Sequence, residues 1–342
     1  MNPTNKITRF SLRILLRWKV FFIGLMIVSA ALLAVIAMVG ANATLSPKRR
    51  SLEPWHMDIL SKPDEYGIKV TSHCDRSGTP YLVCEPAWQR KGKKARMLRQ
   101  ELETRGIEIS DPRQIRGTLM LLHGDKGCKE DHLPICERFC AAGFRCLCVD
   151  LPGHGKNPSE FATFGHTEVT RLLQLWQEFE EKHPDTSGPL GLFGVSQGAA
   201  IALQMAAHHD CPAAAVASVC SFTTLDQPID ASADHLPSIL SELKPLTTRA
   251  CALGIYCRSG FFPSEIRPLD AASQIRCPVF ITHGKDDSFV PSTAAEQLYH
   301  AVRHQKKTLQ IIEKAGHHNV LSVGSTKLYA DLSIFFLREM TR

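Results

Sequence analysis

The chain has 342 residues, 44% of them hydrophobic and 22% charged, which excludes a disordered or collagen-like polymer and allows one large core or two modest ones. Its net charge of +6 is concentrated at the start: residues 1–50 carry eight Lys/Arg and no acidic residue, leaving 32 basic against 34 acidic residues beyond. A near-neutral body argues against nucleic acid as a partner.

Residues 1–19 form a basic segment. From Val20 to Val39 the chain is uncharged and mostly apolar, VFFIGLMIVSAALLAVIAMV. Twenty helical residues span about 30 Å, the thickness of a bilayer's hydrocarbon core. Five basic residues precede the run and three follow it. The positive-inside rule then favours a single-pass signal anchor with its N-terminus in the cytoplasm and the body on the extracytoplasmic side. The alternative is export after signal cleavage near Ala43, because Ala41-Asn42-Ala43 fits the small-x-small pattern. The apolar run is longer than the roughly 7–15 residues of an ordinary signal h-region. A core helix fits poorly, since a core helix of this length rarely lacks a polar face.

Residues 40–65 read as a linker leaving the membrane. Strands are predicted at Ile68–His73 and Pro80–Cys84. The segment 89–106, QRKGKKARMLRQELETRG, is highly charged with helical character. It reads as a solvated helix or loop, with a basic surface against anionic lipid headgroups as the alternative. Then come strand Gly117–Leu122, helix Leu133–Ala142, strand Phe144–Asp150 and amphipathic helix Glu168–Lys182, whose Leu172, Leu175, Trp176 and Phe179 recur at helical spacing. Strand Pro189–Val195, helix Gln197–His208 and strand Ala213–Ser221 follow. After an irregular region come strands Pro278–Thr282 and Thr308–Ile312 and a closing helix Lys327–Arg338. Short apolar strands alternating with helices predict an α/β fold with a mostly parallel sheet covered on both faces.

None of the twelve cysteines forms C-x-x-C or zinc-finger spacing. Cys146 and Cys148 alternate along an apolar strand and so face one side, as small buried hydrophobes do. An exported domain could oxidise some cysteines, Cys251 with Cys257 being the pair to inspect first. Abundant free thiols would count against the extracytoplasmic orientation.

The chemistry centres on Gly194-Val195-Ser196-Gln197-Gly198, a G-x-S-x-G between an apolar strand and an alanine-rich helix. A turn this tight strains the serine's backbone, and side chains at 194 or 198 would collide with the neighbouring strand or helix. Ser196 is lifted clear of the sheet at a helix N-terminus, where backbone N–H groups favour developing negative charge. A serine hydroxyl needs a base, and the base an orienting acid. Asp286 and Asp287 sit just past the strand that starts at Pro278. His317 and His318 follow the next strand. The Gln197 N–H, directly after the nucleophile, is a donor for an oxyanion.

The segments LLHG (121–124), DLPGHG (150–155), GVSQG (194–198), HGKDDSFVP (283–291) and AGHHN (315–319) together resemble the α/β-hydrolase superfamily. The likeness is to bud-emergence-type membrane hydrolases and to the serine-aminopeptidase and monoglyceride-lipase-like groups, over about residues 66–340. It implies a hydrolase domain over 66–342 with a lid at about 223–275. It also implies Asp287 rather than Asp286 as the acid, and His317 rather than His318 as the base. The second oxyanion donor would be the Asp125 N–H, its carboxylate turned away towards Lys126 or Lys129. His123 and His154 lie in turn motifs of the fold and read as structural. In the lid, Leu236–Leu243 and Arg249–Cys257 are candidate helices, and Gly260-Phe261-Phe262-Pro263 looks like an apolar lip.

The expected activity is hydrolysis of carboxylic esters, short-to-medium acyl esters or monoacyl lipids, through Ser196, His317 and Asp287, with no metal or organic cofactor. The partners implied are a small ester or lipid substrate and the membrane. The rivals are a serine-aminopeptidase-type peptidase and a catalytically silent interaction protein on the same scaffold.

Overall fold

The computed structural model describes residues 4–87, 91–109, 111, 114–184, 188–233 and 242–340, with side chains from Leu16 onward. Eight strands form one sheet: β1 (Ile68–Cys74), β2 (Pro80–Pro86), β3 (Thr118–Leu122), β4 (Arg145–Val149), β5 (Leu190–Val195), β6 (Ala213–Val219), β7 (Val279–Gly284) and β8 (Lys307–Ile312). Their order is β1-β2-β4-β3-β5-β6-β7-β8. Only β2 runs against its neighbours, β1 and β4; every other pairing is parallel.

The period-two pattern of the strands supplies two cores. Leu119, Leu121, Cys146 and Cys148 face α3 (Lys93–Thr104), α4 (Leu133–Ala141) and α11 (Val320–Met340). Met120, Leu122, Leu147 and Val149 face the opposite side, packed with α5 (Glu168–Lys182), α6 (Gln197–Ala207), α9 (Pro268–Ala272) and α10 (Thr293–Ala301). Helix α3 occupies most of the charged segment 89–106. It is a sheet-covering helix that buries Ala95, Leu98 and Leu102 along one stripe.

The N-terminus differs from expectation. Helix α1 runs from Thr4 to Leu45, beyond the apolar stretch at both ends, and stops just before Pro47, whose ring disfavours a preceding helical turn. Residues 16–45 are long and apolar enough to cross a membrane. The segment expected as a linker leaving the membrane is docked on the body. Helix α2 (Pro54–Ser61) starts with Pro54 in its first turn and buries His56 and Ile59. His56 Nε2 lies 2.9 Å from Asp131, Arg50 also pairs with Asp131, and Arg49 donates to the Ser159 carbonyl at 2.8 Å.

Between β6 and β7, over the segment expected as the lid, lie α7 (Asp226–Ala233), α8 (Lys244–Ser259) and the sheet-packed α9. The predicted helix Leu236–Leu243 lies, except for its last two residues, outside the described residues. Helix α8 exceeds the predicted Arg249–Cys257 and ends at Gly260 in the left-handed conformation, φ 80°. Cys251 and Cys257 do not pair. Six residues apart on a helix they point about 120° apart; Cys251 is buried and Cys257 exposed, and all twelve cysteines are free. A third core joins α1 to the lid through Ala41, Leu45, Phe222, Ile255 and Phe261.

Candidate active site

Strand β5 delivers Ser196 into a sharp turn with φ 53° and ψ −115°, and α6 begins at the next residue. Such a conformation is costly for a residue with a side chain and persists only where its surroundings enforce it. Two glycines allow it. A Cβ at Gly194 would stand 2.2 Å from the Gly198 carbonyl oxygen, and one at Gly198 would stand 2.1 Å from that of Leu122. The Ser196 N–H donates to the Val219 carbonyl at 2.8 Å, tying the turn to β6.

Ser196 Oγ lies 2.8 Å from His317 Nε2, and His317 Nδ1 lies 2.6 Å from Asp287 Oδ2. With Nδ1–H donating to the carboxylate, Nε2 is left to accept the serine proton. Phe289 packs its edge on the His317 ring, with centroids 5.1 Å apart. Asp286 and His318 are exposed and stand outside this chain of bonds.

The other Asp287 oxygen, Oδ1, accepts the N–H groups of Phe289 at 2.9 Å and Val290 at 2.8 Å. Burial pushes the Asp287 carboxyl up, but hydrogen bonds from His283, His317 and Val290 outweigh it and hold the group well below the usual carboxylate range. His283 was missed in the sequence. Its Nε2 is 2.8 Å from the Val290 carbonyl and 3.0 Å from Asp287 Oδ2, so one N–H is shared between the turn and the acid. The signal was present, since His283 opens the His-Gly pair that precedes the acid.

Asp125 and Gln197 both border the space above Ser196. As the first residue of α6, Gln197 has an N–H outside the helix's own ladder. The Asp125 carboxylate turns to Lys126 at 3.7 Å and His154 at 3.5 Å. Lys129, the other partner expected for it, is committed elsewhere. Its ammonium is buried between Asp150 and Glu130, at 2.8 Å from each, and its N–H donates to Asp150 Oδ1 at 2.8 Å. Fully buried Asp150 therefore pins the 125–130 loop to the end of β4. His123 works on the same loop: Nδ1 bonds the Gly124 carbonyl at 2.8 Å and Nε2 accepts the Leu151 N–H at 3.1 Å. Burial, with His154 nearby, pushes the His123 pKa down to about 3, so it is a neutral structural group.

A cavity of about 620 Å³ lies over Ser196. Its walls are mainly apolar: Phe222 and Leu225 after β6, Pro228 and Ile229 of α7, Cys251 of α8, Phe289, and a face of α1 from Val35 to Thr44. The predicted lip contributes none of them. Phe261 is buried against His166, with centroids 5.0 Å apart, and Phe262 stacks on Tyr256 at 4.3 Å.

Three of the thiols, Cys84, Cys136 and Cys148, gather beneath the sheet, with Cys136 and Cys148 sulfurs 3.3 Å apart. Burial pushes Cys136 and Cys148 well up, which keeps these thiols protonated. Cys220, His283 and Asp287 also converge, but there Asp287 is already engaged with His317.

An eight-stranded, mostly parallel sheet that presents a strained serine beside a histidine–carboxylate pair defines an α/β-hydrolase fold. The sequence model of the alpha/beta hydrolase family matches residues 119–325, more than half of the chain, and the chain belongs to that family. It is similar to the uncharacterised protein YqkD of Bacillus subtilis (strain 168), 25% identical over 299 residues that cover 86% of this chain and 90% of that one. In structure it resembles the Pyrococcus furiosus esterase Pf2001, with TM-score 0.62 and 17% identity over 86% of this chain and 99% of that one. It also resembles a Pyrococcus horikoshii acylaminoacyl peptidase, with TM-score 0.54 and 16% identity over 86% of this chain and 45% of the other. These structural likenesses are likenesses of fold.

Proposed function

We propose that the protein is a membrane-anchored serine hydrolase that cleaves carboxylic esters. One observation carries the reading: Ser196 Oγ, His317 and Asp287 form an unbroken hydrogen-bonded relay on a strained turn at the floor of an apolar cavity.

Ser196 Oγ attacks the ester carbonyl carbon as its proton passes to His317 Nε2. The oxyanion is received by the Gln197 and Asp125 N–H groups. His317 returns the proton to the departing alkoxide, which leaves as the alcohol. Water then gives a proton to His317 and adds to the acyl carbon. Collapse releases the carboxylic acid, and Ser196 regains its proton. Asp287 keeps His317 in the required tautomer and stabilises the imidazolium.

Helix α1 serves as the anchor, with its N-terminus cytoplasmic and the hydrolase domain (66–342) on the far side. Its apolar length and the basic residues before it support this. The twelve free cysteines count against the far side, where thiols are exposed to oxidation as the chain folds, although nine of them end up buried. Burial of Ala41 and Leu45 in the lid core supports retention of α1 over cleavage at Ala43.

The test is fluorophosphonate labelling of the full chain in detergent micelles, with p-nitrophenyl esters of graded length and aminoacyl arylamides as substrates. Labelling and ester turnover that vanish in Ser196→Ala support the reading. Preference for arylamides would make the protein a peptidase. Equal labelling of wild type and variant would leave a silent scaffold.

A further inference from the structure

We propose that the cavity over Ser196 is an acyl-chain channel with α1 as its outer wall, so that the substrate is a long-chain acyl ester drawn sideways out of the bilayer. This rests on the hydrolase reading above and adds the substrate class and its route.

The wall residues on α1 are Val35, Ile36, Val39, Gly40, Ala43 and Thr44. Their spacing puts them on one stripe, and at 1.5 Å per residue the stripe runs about 13 Å along the helix. Val35 is 51% exposed and Val39 59% exposed while also lining the cavity. The mouth therefore opens beside these two residues.

The strongly apolar run Val20–Val39 ends at Val39. If its twenty residues occupy the hydrocarbon core, Val35 and Val39 stand at the outer edge of that core. The mouth then faces lipid tails instead of water. The lining has the mixed polarity of an amphiphile. Ser196 and the exposed Asp125 and Lys126 supply the polar part of the lining, and Val35, Ile36 and Val39 of α1 an apolar part.

The wall is fixed in place. A Cβ on Gly254 of α8 would meet the Ala37 carbonyl oxygen at 2.2 Å, and one on Gly40 would meet Cys251 Sγ at 2.8 Å. Small residues at these crossings bring the two helices close together. Arg258 donates to Asn42 Oδ1 at 2.8 Å, and the Leu45 carbonyl accepts the Ala162 N–H at 2.7 Å. A helix held so firmly on the catalytic body keeps one substrate route at a constant depth in the membrane.

The test uses the full chain in phosphatidylcholine vesicles and a long-chain alkyl fluorophosphonate carrying a diazirine near the chain end. After Ser196 is labelled, light should crosslink the chain to the peptide containing residues 35–44. Labelled Ser196 with crosslinks only outside α1 overturns the channel and leaves the hydrolase standing. No labelling of Ser196 overturns the hydrolase reading and the channel with it. In parallel, Ile36→Trp and Val39→Trp should each lower the ratio of palmitoyl to butyryl ester hydrolysis by about tenfold or more, since a pocket discriminates on this scale against a single misfit methylene. Ile27→Trp, on α1 away from the cavity, should keep the ratio. An unchanged ratio in both cavity variants overturns the proposal.

Discussion

Gly254 of α8 lies directly against Ala37 of α1, so close that a Cβ on the glycine would stand 2.2 Å from the alanine carbonyl oxygen. The obstacle is backbone, which cannot swing aside as a side-chain tip can. Gly254→Val should force the helices apart and destabilise the protein by about 1–3 kcal/mol, the usual range for overpacking. A lower unfolding midpoint in detergent, with a weakened preference for long acyl chains, checks this.

Ser196→Ala should leave a folded protein with hydrolysis reduced by roughly 10⁴-fold or more, because the remaining groups of such a triad cannot replace the nucleophile. Residual turnover of a p-nitrophenyl ester, measured beside an unchanged unfolding midpoint, checks it.

Asp287→Asn should lower kcat by roughly 10³–10⁴-fold, since an amide does not hold His317 in the productive tautomer. The same variant tests a pH effect. The Asp287 carboxyl is held low in the folded state, so its contribution to stability is complete above the unfolded value of about 3.9 and is lost as pH falls towards the folded value. Between pH 6 and pH 3 the wild type should therefore lose more stability than Asp287→Asn. Denaturant titrations of both proteins at the two pH values would show it, and equal losses would count against the ionised buried carboxylate.

Lys129→Met should destabilise the protein by about 3–5 kcal/mol, because it leaves buried Asp150 without its cation. The 125–130 loop should loosen as well. Chemical denaturation gives the stability change. Faster amide exchange across that loop than across β7 separates the local effect from a global one.

Much of the fold was legible because short apolar strands and amphipathic helices carry their periods openly. Leu172, Leu175, Trp176 and Phe179 mark α5, with the same boundaries as predicted from sequence. Helices α9 and α10 were missed, since α10 buries mainly small residues, Ala294 and Ala295, with Leu298. A motif that constrains backbone singled out Ser196; strand ends narrowed the other two candidates to Asp286 or Asp287 and His317 or His318, the resemblance chose Asp287 and His317, and the structure brings these two together with Ser196. The site was not legible at Lys129, whose partner Asp150 lies on another element; at His283 the His-Gly pair was visible but its bond to Asp287 was not.

By itself the sequence determined the α/β class, the turn that must carry Ser196, and an apolar segment of membrane-crossing length. These are local properties of spacing, steric freedom and hydropathy. Only the tertiary structure decided that α1 continues to Leu45 and forms a wall of the cavity, that residues 46–65 dock instead of tethering, and that Phe261 serves the lid core and not its lip. Each depends on which distant surface a residue meets. A glycine at 254 and an alanine at 37 mean little until the fold presses them together.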